Sequence, residues 1–264
     1  MSRTDTVHAG VDLAWGQRAR TGVAVVSAEG ALLASASVHT DAEIAGFLEP
    51  YAAELATVAV DAPLIVTNPT GRRPCEREIG AAFGRYGAGA HPANTSNPLF
   101  DPPRGATLAD RLGWSIDPAH IGRPGTAVCL EVYPHPAMVG LFGLPYTIPY
   151  KGKRGRDLAS LKVAYEVLLD AMERHLPELD LGSSERWKAL RATAAGALRK
   201  VELERIEDEV DAIVCAHLAW LWSTRPGALQ VYGDVETGYI VAPPPPDHPA
   251  VRRAAAHEAR APGQ

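Results

Sequence analysis

Five carboxylates fall where an acid needs a reason. Asp12 sits in GVDLAWG, inside an apolar run with Gly10 and Gly16 on either side. Asp61 closes the apolar run of VAVDAPL, and Glu131 stands between Val-Cys-Leu and Val-Tyr-Pro. Asp208 and Asp211 precede AIVCAHLAWLW, residues 212–222, which is almost wholly apolar. An ionised carboxylate is rarely buried unless it is paired or holds a metal, because stripping its water is costly. Acids that converge repel one another, and a hard divalent cation removes that repulsion; Mg²⁺ or Mn²⁺ suits an all-oxygen set. Two such ions about 4 Å apart can activate a water and stabilise the leaving oxygen of an in-line phosphoryl displacement.

Each acid also has a plain structural reading. Asp12 can mark a strand end or bulge, and Asp61 before Ala-Pro can start a turn. Asp208 can cap a helix N-terminus, where negative charge is favourable. The i, i+3 spacing puts Asp208 and Asp211 on one helix face, so both can reach one site. The conjunction outweighs any member. It makes Asp12, Asp61, Glu131 and Asp211 the catalytic candidates, with Asp208 as a further metal ligand. Gly10 and Gly16 then read as places where the chain, a ligand or a neighbouring strand comes close.

The elements that must position these acids follow from hydrophobic period and turn chemistry. Residues 7–15 and 21–28 are apolar and β-branched and read as a hairpin, with 31–39 as a third antiparallel strand. Thr40 or Asp41 caps a helix over roughly 41–54. LATVAVDAPL then reads as a buried parallel strand ending at Asp61. Residues 67–122 are rich in Gly, Pro, Arg and Asn, with one helix near 75–86, and read as a substrate-facing insertion. TAVCLEVYPHP is another buried strand, stopped by Pro134 and Pro136. Helical patterns cover 156–175, 185–206 and 207–223, the last opened by Asp208 and Asp211. YGDVETGYIVAP supplies a last edge strand, and 243–264 reads as a disordered tail behind a single domain of residues 1–242.

Basic residues supply the complement. Arg72, Arg73, Arg77 and Arg85 concentrate in the insertion, and KGKRGR places Lys151, Lys153, Arg154 and Arg156 on a Gly-rich loop. Either set suits phosphate, and either can equally be solvated surface charge. Tyr86, His91 and Asn94 share the insertion and can contact bases. His135 can position or deprotonate a water, although a strand-end histidine without a role is the simpler reading. His217 reads as a satisfied core histidine, and Trp15, Trp220 and Trp222 as core or near-core packing. Across 264 residues the net charge is −5, which argues against backbone-driven nucleic-acid binding by the whole surface. Cys75, Cys129 and Cys215 form no zinc spacing and suit a reducing compartment. With no signal-like start and no membrane-length apolar run, a cytoplasmic protein is expected.

With GVDLAWG, VAVDAPL, RRPCEREIG, LEVYPHP, DEVDAIVCAHLAW and GYIVAP in this order, the chain resembles the DUF429 family from about Val7 to Pro243. That family is expected to comprise nucleases with a ribonuclease H-like fold. The resemblance implies an α/β protein whose mixed sheet has three antiparallel strands, then parallel strands, flanked by helices. It also implies two divalent ions, Mg²⁺ or Mn²⁺, held between an acid on the first strand, one after the fourth, and one or two on a late helix. Those roles map onto Asp12, Asp61, and Asp211 with Asp208. Glu131 is an additional acid, so the shared ligand is either Asp61 or Glu131. The expected activity is hydrolysis of DNA or RNA. Two rivals remain: an ATP-binding phosphotransferase of the sugar kinase or actin-like type, whose first hairpin also cradles phosphate, and a non-catalytic binding module. The former normally needs a second copy of the core and a second phosphate hairpin, which the sequence does not show.

Overall fold

A computed structural model describes residues 6–16 and 19–251. β1 (Val7–Asp12) and β2 (Thr21–Val26) form the expected antiparallel hairpin, registered from His8 opposite Val26 to Asp12 opposite Gly22. β3 (Leu32–Val38) continues antiparallel beside β2. Thr40 caps α1 (Asp41–Leu48) in a reciprocal box with Glu43. β4 (Leu55–Val60) then runs parallel to β1, and β5 (Val128–Glu131) parallel to β4. The sheet order is β3-β2-β1-β4-β5. Every residue of β1, β2, β4 and β5 is buried, which requires cover on both faces.

The segment between β4 and β5 carries α2 (Pro74–Phe83), as expected, and a second helix, α3 (Arg104–Arg111), that patterning missed. Pro134 does not merely stop β5. It occupies the first turn of α4 (Pro134–Phe142), where a missing N–H leaves no bond unmade. α5 (Leu158–His175), α6 (Glu185–Gly196) and α7 (Lys200–Thr224) follow. The expected break near residue 206 is therefore displaced to 197–199. No Gly or Pro interrupts KVELERIEDEVD, so α7 starts eight residues before Asp208, and neither Asp208 nor Asp211 opens it.

Period two divides the side chains of the central strands. Val11, Val23, Val25, Val58 and Val60 pack with Ile44, Leu48 and Leu108 on one face. Ala24, Val26, Ala59 and Leu130 pack with α4, α5, α6 and α7 on the other. α7 is apolar all round from Ala212 to Leu221, apart from His217, because it lies between the sheet and these helices. The closing segment is a hairpin, not one strand: β6 (Gln230–Asp234) pairs with β7 (Gly238–Ala242), and Val241 bridges to Val132 beyond β5.

Residues 243–251 are docked, contrary to the expectation of a disordered tail. Tyr86 Oη donates to the carbonyls of His248 and Pro246, and the Val251 N–H donates to Pro145. The rest of that expected tail, 252–264, lies outside the described residues. Among the described residues no helix is long and apolar enough to cross a membrane.

Candidate functional site

Asp12 and Asp61 come together because β1 and β4 are parallel neighbours. Asp12 ends β1, and the Asp61 N–H donates to the Val11 carbonyl at 2.8 Å just past β4. Alternation puts Asp12 on the same sheet face as Gly10, the face covered by α7. Gly10 and Gly22 set how close that helix lies. A Cβ on Gly10 would overlap the backbone of Ala212, Cys215 and Ala216, and one on Gly22 would overlap the backbone of Asp208 and Glu209. Only hydrogen-sized side chains allow this contact, which carries Asp208 and Asp211 over the end of β1. Gly16, in contrast, faces open space and permits no such approach.

Four aspartates, from β1, the end of β4 and one face of α7, thus share one region, with Lys151 among them. Lys151 Nζ lies 2.7 Å from Asp211 Oδ2, and Tyr150 Oη donates to Asp211 Oδ1 at 2.6 Å. Burial alone would lower the Lys151 pKa, but Asp211, Asp12 and Asp61 raise it well above the ordinary lysine value. The acids move the other way from normal. Burial raises Asp12 well above the carboxylate range, Lys151 opposes, and the charges of Asp61, Asp211 and Asp208 add to the rise. Burial pushes Asp61 up to about 7 and Asp208 up to about 6, with Lys151 opposing and Asp211 adding to both. Glu207, next on α7, rises to about 7 for the same reasons. One ammonium does not offset this density of negative charge.

The donor set fits a hard divalent cation. Asp12 Oδ2 is buried and has no hydrogen-bond partner, an orphaned acceptor that a cation would satisfy. Asp61 and Asp208 contribute further oxygens; Asp211 Oδ1 accepts from Tyr150, while its Oδ2 accepts no hydrogen bond and is paired with the Lys151 ammonium. Among the described residues, no three His, Cys, Asp or Glu side chains stand at ligand spacing as they are.

Glu131 and Arg73 are drawn into a different structure. Arg73 is 2% exposed, and its Nη1 and Nη2 donate to both Glu131 oxygens at 2.8 and 2.6 Å. Its Nε bonds Glu76 Oε1 at 2.8 Å, and the Leu64 N–H donates to Glu131 at 2.9 Å. Burial raises the Glu131 pKa and Arg73 pulls it back. With three hydrogen bonds shared between its two oxygens, Glu131 ties α2 to β5 and, unlike Asp12, has no unpartnered oxygen to offer as the shared ligand. Arg73 likewise cannot reach a substrate phosphate.

A cavity of about 750 Å³ opens over the aspartates, lined in part by Asp12, Asp61, Asp208 and Lys151. Of the remaining basic candidates, Lys153 lines it, as does Arg156 from the same loop. Arg72, Arg77 and Arg154 are exposed and do not line it. Arg20 lines it and was missed, since an arginine in a polar hairpin turn carries no motif. Trp15 is not core: it is 46% exposed and stands on the cavity wall with His91. His135 also lines the cavity, stacked 5.6 Å from Tyr150 with Nδ1 3.1 Å from Thr147 Oγ1. Burial, then Lys151, lowers its pKa to about 4, so it is a neutral imidazole at neutral pH. Tyr86 is buried, and Asn94 bonds the Gly71 carbonyl. His217 is buried, but its Nδ1 finds no partner, so it is not the satisfied histidine expected.

Fold and site together define an α/β protein with a mixed five-stranded sheet and an aspartate cluster at the carboxyl ends of its two central parallel strands. The model of one family, described as "Protein of unknown function (DUF429)", matches residues 10–237, and the chain belongs to that family. No curated protein matches the chain closely enough to count as a relative.

Proposed function

We propose that this protein is a divalent-metal-dependent nuclease of ribonuclease H-like fold. The observation that carries the reading is the buried, partnerless Asp12 Oδ2 within the charge field of Asp61, Asp208 and Asp211, with Lys151 paired to Asp211. The strand order 3-2-1-4-5, with three antiparallel strands before the parallel ones, supports the fold assignment. Asp12, Asp61 and Asp208 would hold Mg²⁺ or Mn²⁺, with Asp211 joining once Lys151 yields. A divalent ion bound there supplies charge neutralisation at a phosphate and a water of lowered pKa. The chain's own groups do the rest. Lys151 stands where it can meet a phosphate oxygen, Tyr150 and Lys151 orient Asp211, and the neutral His135 offers a ring nitrogen for a water.

Calorimetric titration with Mn²⁺, beside a cleavage assay on labelled single- and double-stranded DNA and RNA, tests this. Wild type is expected to bind the ion and to cleave only when it is present, and Asp12→Asn to lose both. A wild type that takes up no ion, indistinguishable from Asp12→Asn, refutes it. One observation favours a second reading, that of a non-catalytic module. Lys151 Nζ already sits 2.7 Å from Asp211 as an internal counter-ion. The same titration separates the two.

A further inference from the structure

The walls of the cavity differ in chemistry from its acidic floor. The lining includes aromatic rings. Trp15 stands edge-on to Phe100, with ring centroids 5.2 Å apart at 69°, and to His91, 6.5 Å apart at 77°. These contacts fix the ring's orientation while leaving 46% of the residue's surface open. The part of the ring left open beyond these contacts suits a surface that takes a flat partner. Tyr146 adds a second ring, seated where Gly87, at φ 79°, leaves room for it.

The same lining carries cations. Lys153 and Arg156 come from the KGKRGR loop, and Arg20 from the β1–β2 turn. The loop is secured to its surroundings. Arg156 Nη1 donates to the Lys151 carbonyl at 2.6 Å, the Gly152 N–H donates to Glu207 Oε2 at 3.4 Å, and Lys200 Nζ donates to the Arg156 carbonyl. A cavity of about 750 Å³ falls in the size range of small-molecule sites, roughly 300–1,000 Å³.

We propose that this cavity takes one unpaired nucleotide, its base against Trp15 and its phosphate on Lys153 and Arg156, so that the substrate is single-stranded nucleic acid. This rests on the nuclease reading for the role of the floor, but not for the binding itself. A base locked in a duplex stack has no face to offer Trp15, whereas an unpaired base does, and stacking of this kind tolerates any sequence. The phosphate, drawn to these cations, is thereby brought into the cavity that the aspartates also line.

Fluorescence anisotropy of a short labelled single strand and of the matching duplex, both in EDTA, tests the proposal. Wild type is expected to prefer the single strand. Trp15→Ala should weaken that binding by about 5- to 100-fold, and Trp15→Phe, which keeps a stacking face, by much less. The double variant Lys153→Ala/Arg156→Ala should weaken binding and lower the salt slope by about 0.7, the one phosphate that the two side chains share. A duplex bound as tightly as the single strand overturns the proposal, as does a correctly folded Trp15→Ala that binds like wild type. The outcomes for the metal reading are separate. Trp15-dependent binding without ion uptake by wild type removes the nuclease and keeps this site; ion-dependent cleavage indifferent to Trp15 does the reverse.

Discussion

Asp61→Asn is expected to stabilise the ion-free protein above neutral pH while destroying ion binding. In the folded protein the Asp61 pKa is raised from an ordinary 3.8 to about 7, by burial first and then by Asp211, against the pull of Lys151. The unfolded chain gives up this proton near pH 4, while the folded chain keeps it to about pH 7. The native state therefore binds more protons across that window, and stability falls as pH rises through it, then levels off. At about 1.36 kcal/mol per unit, a rise from 3.8 to about 7 corresponds to roughly 4 kcal/mol. Asp61 keeps part of its exposure at the cavity wall, so water relieves some of the cost and the figure is a ceiling. Urea unfolding in EDTA at a series of pH values is the assay. The variant should gain little over wild type near about pH 4.5 and most near about pH 8.5. Saturating Mg²⁺ should then lift wild type alone, by about 2.7 kcal/mol at a hundredfold excess over Kd. A wild type–variant gap of the same size across the whole pH series would refute the reasoning, because it would mean that Asp61 titrates alike in both states.

Gly22→Ala drives a methyl into the Asp208 backbone, so α7 must shift; overpacking of this kind costs about 1–3 kcal/mol, and ion affinity should fall with it. Thermal unfolding and Mn²⁺ titration read both effects, and a variant with unchanged affinity would show that helix approach does not set the cluster. Arg73→Met leaves Glu131 and Glu76 buried without their cation and should cost about 3–5 kcal/mol in urea unfolding. If that variant instead stays stable and loses nucleic-acid binding, Arg73 meets substrate after all.

Much of the scaffold is legible in the sequence because its signals are local. The continuous apolar runs around Asp12 and Asp61 announce buried strands, and Thr40 with Glu43 announces α1. Helix boundaries were less legible: a helix continues until something stops it, and nothing between Lys200 and Asp211 does so. Pro134 misled for a related reason, since the residue that ends a strand also suits the first turn of a helix.

The sequence by itself determined which acids stand on strand ends and helix faces, because strand period and helical spacing are properties of neighbouring residues. Tertiary structure decided which of them remain available. Glu131 looks like Asp61 in sequence, yet Arg73, 58 residues away, consumes both its oxygens. Lys151 looked like one cation among four on a loop, yet it alone reaches Asp211. Gly22 carried no visible signal, yet it sets the distance between β2 and α7. Trp15 reads as core or near-core packing in sequence, yet it lines a cavity with nearly half its surface open. Pairing of charges and close approach of backbones depend on surfaces that meet only after folding. No local pattern encodes them, and they separate an aspartate with an unpartnered oxygen from a glutamate whose two oxygens are both taken by an arginine.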